Sequence, residues 1–204
     1  MTQKSQITHL FLDIGGVLLT NGWDHEARQR AAAKFHLDRE EMEYRHRLTF
    51  ELFEVGKLTL KEYLSRVIFH KKRRFTQNQF WRFMIAQSKP FPKMLRLMAE
   101  LKEAYGLKIA AVSNEALELN EVRIRTFKLD HLIDSFISSC YVHVRKPDIE
   151  IFQLALDISQ AKPKKVLYIE NTPLFVELAE KQGIQSILHT DYASTVKQLA
   201  LHGL

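Results

Sequence analysis

Four places in this chain put a chemically capable side chain at the end of an apolar run. Asp13 follows residues 7–12, Ser113 and Asn114 follow residues 107–112, Lys146 lies in the loop after residues 135–139, and Glu170 with Asn171 follows residues 165–169. A carboxylate can act as a nucleophile, while an ammonium and a hydroxyl can hold an anion. Gly15 and Gly16, just after Asp13, let the backbone turn sharply and approach a ligand, since neither carries a Cβ. Taken singly, each position has a plainer explanation: Asp13 as a turn acid, Ser113 as a helix cap, Lys146 as a solvated lysine. Together, at successive strand ends, they are far more specific.

The elements that must position them alternate between strand and helix. Met94, Leu97, Met98, Leu101 and Tyr105 recur at helical steps and stop at Gly106, a suitable C-terminal cap. A polar helix is expected over residues 115–128. Pro147 suits the first position of another, whose apolar face is Ile151, Phe152, Ala155 and Ile158. Thr172 and Pro173 open a further helix that Gly183 closes, and a fifth strand over 184–188 precedes a last helix over 193–201. This order predicts a parallel α/β sheet flanked by helices on both faces. Ligands bind such sheets beyond the carboxyl ends of the strands, near the switch in strand order. The four positions are therefore expected to converge.

Between the first strand and Pro90 the composition changes to charged and helical. Thr59 and Glu62 form a capping box ahead of Leu60, Tyr63, Leu64, Val67 and Ile68. Leu48, Leu52 and Phe53 indicate a helix closed by Gly56, and residues 26–35 and 78–86 supply two more. The segment reads as an inserted helical bundle. Within it, residues 69–75 (FHKKRRF), followed by Phe80, Trp81 and Phe83, interleave cations with aromatics. That pattern can bind single-stranded nucleic acid, or draw a phosphorylated substrate toward a cleft, or be a solvated loop whose rings turn inward to pack the bundle. The last is the expectation, and nucleic acid is not expected as a partner.

A chain of 204 residues with 46% hydrophobic content can bury a sizeable core, and its length suits one domain with an insertion. The net charge of +6 agrees with an anionic ligand. The single cysteine, Cys140, permits no internal disulfide and is expected to be a buried structural thiol in a reducing compartment. No histidine or cysteine spacing fits zinc. The N-terminal apolar stretch is too short for a secretory signal, and no segment reaches the roughly 18 apolar residues of a membrane span. A soluble, cytoplasmic protein is the expectation; no oligomeric state follows.

Four motifs, LFLDIGGVLL, AAVSNEA, RKPDIEIF and VLYIENTPLFVELAEKQGI, resemble those of the haloacid dehalogenase (HAD) superfamily of hydrolases. The first is most similar to the sugar-phosphate phosphatase group and to the phosphatase domain of soluble epoxide hydrolases. The resemblance covers the whole chain. It implies a Rossmann-like (HAD-like) core over residues 1–20 and 89–204, with residues 21–88 as a small α-helical cap. It also implies a phosphatase acting on a small phosphorylated metabolite with Mg²⁺ as cofactor. Asp13 would form an aspartyl-phosphate and Lys146 would hold Asp13 and a phosphoryl oxygen. Ser113 and the backbone around Asn114, Gly15 and Gly16 would bind the phosphate. Asp13, the Gly15 backbone carbonyl, Asn171 and Glu170 would be the metal ligands.

Two positions depart from the family pattern. Gly15 stands where a second aspartate usually serves as acid and base, a function worth about 10²- to 10⁴-fold. Asn171 stands where an acidic metal ligand is common, and a neutral oxygen holds Mg²⁺ less tightly unless Glu170 compensates. A weakened or selective phosphatase is therefore expected, with Asp24 or another cap residue as a substitute proton donor. The alternatives are a non-catalytic phosphate-ligand or partner protein on the same fold, and a 2-haloacid dehalogenase. Against the last, Leu174 occupies the place of its water-activating aspartate.

Overall fold

The computed structural model describes residues 6–204; residues 1–5, part of the stretch read as too short for a secretory signal, lie outside it. Among the described residues, one sheet of five parallel strands has the order β3-β2-β1-β4-β5. The strands are β1 (His9–Leu12), β2 (Lys108–Ser113), β3 (Ser135–Ser138), β4 (Val166–Glu170) and β5 (Gln185–Leu188). The parallel α/β architecture read from the alternating pattern is the one observed.

Alternate residues of each strand feed two apolar layers. Leu10, Leu12, Ile109, Ala111, Leu167 and Ile169 meet Met94, Met98, Leu101 and Leu199 on one face. Phe11, Ala110, Val112 and Tyr168 meet Ile151, Phe152, Ala155 and Ala179 on the other. Burial on both faces is why these strands read as continuous apolar runs. The register pairs Leu12 with Ala111 and with Ile169, so the residues that follow in β1, β2 and β4 emerge side by side.

The region after β1 holds α1 (His25–Phe35), α2 (Arg39–Arg47), α3 (Phe50–Glu54), α4 (Leu60–Val67) and α5 (Gln77–Ala86). The Thr59–Glu62 capping box forms, and Thr76 with Gln79 makes a second one ahead of α5. α2 has no counterpart in the sequence reading, because Met42 is its only buried residue and leaves no apolar stripe to detect. These helices share an apolar cluster in which Phe35, Phe69, Phe75, Phe80 and Phe83 pack ring against ring. The aromatics of the basic run thus face inward, as the packing alternative held.

The remaining helices are α6 (Pro92–Tyr105), α7 (Leu117–Phe127), α8 (Ser139–Val142), α9 (Glu150–Ser159), α10 (Pro173–Lys181) and α11 (Tyr192–Leu201). Gly106 ends α6 in the left-handed conformation at φ 64°. Pro147 does not open α9. The chain first turns at Asp148, whose Oδ1 accepts from the Glu150 amide, and the helix begins there. Cys140 is buried in α8, and burial pushes its thiol up to about 12. Among the described residues no helix is long and apolar enough to cross a membrane.

Candidate active site

At the carboxyl end of the sheet Lys146 is 1% exposed and fully engaged. Its Nζ lies 3.0 Å from Asp13 Oδ1, 2.6 Å from Glu170 Oε2 and 3.0 Å from Tyr168 Oη. Burial works against the ammonium, but Asp13 and Glu170 outweigh it and hold its pKa above the ordinary lysine value. Burial likewise raises Asp13, with Lys146 pulling the other way. An ammonium shared by two buried carboxylates stabilises only when all three are present, because removing one leaves an uncompensated charge.

Each member is positioned by its element. Asp13 follows β1, with its amide donating to Ile169 O at 3.0 Å. Tyr168 and Glu170 sit two apart on β4, hence on one side of the strand, and the Tyr168 hydroxyl donates to Glu170 Oε2. The other oxygen, Glu170 Oε1, accepts the Asn171 and Thr172 amides at 2.9 Å each, at the N-terminus of α10. Both oxygens of Glu170 are thus occupied. In this arrangement Glu170 anchors Lys146.

The loop carrying Lys146 is fixed by Asn114, whose Nδ2 donates to Lys146 O and whose Oδ1 accepts from Lys146 N. The Asn114 side chain therefore serves the lysine, leaving only its backbone for a ligand. Ser113 is buried, and its Oγ accepts from the Ile14 amide at 3.5 Å. The Gly16 amide donates to Leu19 O at 2.6 Å. What this glycine supplies is room: at φ 80°, a Cβ there would collide with the Asn171 carboxamide.

Gly15 faces filled space. A Cβ at this position would stand 3.1 Å from Asn21 Oδ1 and 4.0 Å from Arg123 Nη2. Arg123 is buried, donates to Thr20 O, and pairs with buried Glu115 at 2.8 Å. Burial is the main cause that pushes Glu115 up to about 7. Asp24, named as a substitute acid, spends Oδ1 on capping α1 through the Ala27 amide at 2.7 Å.

These groups line a cavity of about 320 Å³ whose far wall comes from the helical segment, including Trp23, Arg28, His46, Phe50 and Glu54. Glu54 Oε2 pairs with Arg145 at 2.9 Å and Ser139 Oγ donates to Glu54 O, which ties that segment to the loop beside Lys146. His46 is driven down to about 3 by burial and by Arg28, so it is neutral near pH 7. Tyr168, Glu115, Arg123 and Asn21 were not singled out in the sequence. Tyr168 carried a usable signal, its two-residue spacing from Glu170 within a strand.

The oxygen-bearing groups that could hold a cation at this end of the sheet are Asp13, the Gly15 carbonyl and the Asn171 carboxamide. The Asn171 side-chain nitrogen donates to Gly15 O at 3.2 Å and to Glu170 Oε1 at 3.0 Å, which holds the carboxamide beside the Gly15 carbonyl. The set fits Mg²⁺ chemically, with a single carboxylate as its charge. Among the described residues no group of three or more His, Cys, Asp or Glu side chains forms a metal cage.

A parallel α/β sheet with an acid, a lysine and a hydroxyl converging at its carboxyl end defines a hydrolase-type site in an open-sheet fold. The chain belongs to the haloacid dehalogenase-like hydrolase family, whose model matches residues 7–174. It is 31% identical over 110 residues to the rat bifunctional epoxide hydrolase 2, covering 52% of this chain and 20% of that protein. It is 27% identical over 140 residues to the phosphorylated carbohydrates phosphatase of Thermotoga maritima, covering 69% and 60%. The chain thus spans less than two thirds of either curated relative. In fold it is similar to a HAD family enzyme of Bacteroides thetaiotaomicron solved with magnesium and inorganic phosphate. That likeness has a TM-score of 0.77 at 20% identity, over 93% of this chain and 98% of the other.

Proposed function

We propose that this protein is a phosphatase for a small phosphorylated metabolite, working through phosphoryl transfer to Asp13. The observation that carries the reading is the buried Lys146 held between Asp13 and Glu170 at the floor of a cavity sized for a small ligand. Asp13 attacks phosphorus, the bond to the leaving oxygen breaks, and water then cleaves the aspartyl-phosphate to return the carboxylate. Lys146 offsets the charge of Asp13 and of the incoming phosphoryl oxygens, and Ser113 hydrogen-bonds those oxygens. Magnesium, when bound by Asp13, the Gly15 carbonyl and Asn171, supplies further neutralisation of the phosphate.

In this reading residues 21–88 act as the cap that selects the substrate. The slot beside Gly15 is taken by Asn21 and Arg123, so no carboxylic acid meets the leaving group there. The favoured substrates are those whose leaving group departs with little protonation, such as anomeric sugar phosphates or acyl phosphates. The buried free thiol of Cys140 agrees with a reducing, cytoplasmic setting.

A metabolite panel assayed for phosphate release in Mg²⁺, with Asp13→Asn alongside, tests the assignment. Release by the wild type that is lost in Asp13→Asn is the expected result. Equal release by both proteins would remove Asp13 as nucleophile. Phosphate binding without release would favour a non-catalytic binder, and halide release from 2-chloropropionate a dehalogenase.

A further inference from the structure

Four rings of the helical segment, Trp23, His46, Phe50 and Phe53, line the far wall of the cavity, with Ala116 and Leu119 beside them. Stacking fixes two of these rings. Phe53 lies nearly parallel to the buried Tyr63, with 4.2 Å between centroids, and His46 stacks on Phe50 at 5.2 Å.

The polar side chains of that wall are already engaged. Trp23 Nε1 donates to Tyr63 Oη at 2.8 Å, and His46 Nδ1 shares the same hydroxyl at 2.8 Å. Arg28 gives Nε and Nη2 to the Glu43 carboxylate and Nη1 to Trp23 O. Glu54 is paired with Arg145, and Asp24 caps α1. A polyhydroxylated leaving group would bring its hydroxyls to partners already taken, and polar groups left unpaired in a closed site are costly. A flat apolar group needs only ring faces and edges.

The slot beside Gly15 favours the same kind of leaving group on separate grounds. Asn21 and Arg123 fill it, so the leaving oxygen departs with no carboxylic acid to protonate it there. A phenolic oxygen tolerates this, with a pKa of about 10. An alkyl oxygen, close to water at about 16, does not.

We infer that the substrate is an aryl phosphate, the phosphate monoester of a planar aromatic hydroxyl, with its phosphate at Lys146 and its ring against the wall formed by Trp23, Phe50 and Phe53. This rests on the reading of the cavity as a phosphatase site. As Asp13 attacks phosphorus, the bond to the aryl oxygen breaks with its electron pair on that oxygen, and the aryloxide takes its proton from water.

Steady-state kinetics of the whole chain in MgCl₂ with 2-naphthyl phosphate, benzyl phosphate, glucose 1-phosphate and acetyl phosphate test the assignment. 2-Naphthyl phosphate should exceed glucose 1-phosphate in kcat/KM by about tenfold or more. Benzyl phosphate, which has a ring but an alkyl oxygen, should keep a similar KM and fall by about 10²-fold in kcat. Phe50→Ala should raise KM for 2-naphthyl phosphate by about tenfold, and for acetyl phosphate by much less. Phe50→Tyr, which keeps a ring, should restore most of that loss. Glucose 1-phosphate or benzyl phosphate turned over as well as the naphthyl ester would overturn the aryl assignment while leaving an Asp13-dependent phosphatase standing. So would an unchanged KM for the naphthyl ester in a Phe50→Ala protein that melts as the wild type does. Absence of release from all four compounds would overturn both.

Discussion

Asn114 holds Lys146 from both sides of its backbone: Nδ2 donates to the Lys146 carbonyl and Oδ1 accepts from the Lys146 amide, each at 2.8 Å. The residue after the Ser113 strand end thereby sets the position of a lysine 32 residues further along the chain. Small misplacement of a reacting group can cost about 10²-fold in rate. Asn114→Ala is therefore expected to lower kcat on an aryl phosphate by about 10- to 100-fold. Asn114→Asp keeps the acceptor but loses the donor, and should fall between. Equal loss of kcat in both, with unchanged melting temperature, would deny the positioning role.

Lys146→Met leaves Asp13 and Glu170 facing each other in a buried site. Breaking a buried pair from one side costs about 3–5 kcal/mol, so this variant should be strongly destabilised in urea denaturation near pH 7. The sign with pH follows from Asp13, which burial already raises against the pull of Lys146. Without the ammonium that rise goes unopposed, so the folded state takes up a proton as pH falls and the deficit shrinks. A difference from wild type that is smaller at pH 5 than at pH 7 is the expected outcome. A constant difference would mean that lost packing, not charge, dominates.

Gly15→Asp tests the slot beside the nucleophile. Gly15 is not among the positive-φ glycines, so the backbone accepts a side chain. The new carboxylate would meet Asn21 Oδ1 and lie near the Arg123 guanidinium, which holds it ionised and poor as an acid. Turnover of an alkyl phosphate should therefore rise by less than about tenfold, below the usual range for a general acid. A gain of about 10² or more would show that Arg123 does not command the slot.

Gly16→Ala places a Cβ into the Asn171 carboxamide at φ 80°. The strain of a left-handed alanine and the displaced side chain together should cost about 1–3 kcal/mol. Chemical denaturation reads the loss, and calorimetry should show weakened magnesium binding in the presence of phosphate. Retained affinity would mean that Asn171 takes no part in holding the cation.

The fold was legible because parallel strands buried on both faces write themselves as apolar runs, and because Thr59, Gly106, Thr172 and Pro173 mark helix ends. The meeting of Asp13, Lys146 and Glu170 was foreseeable from their places at strand ends. The Arg123–Glu115 pair was not. Leu119, Asn120 and Arg123 form the buried face of α7, and two polar residues of the three disguise that face as a solvated one. Helix α2 was hidden for a related reason, its single buried Met42 giving no periodicity. Glu170 showed its type but not its duty, since its saturation by Lys146, Tyr168 and two amides depends on the turn into α10.

In the proposed function Asp13 receives the phosphoryl group. Rapid acid quenching of the protein during turnover of an acyl or aryl phosphate, followed by peptide mass spectrometry, measures it directly. A phosphoryl adduct on the peptide containing Asp13, rising and decaying with turnover and absent from Asp13→Asn, is the predicted result. Phosphate release at an undiminished rate by Asp13→Asn, with no adduct on that peptide in the wild type, would contradict it.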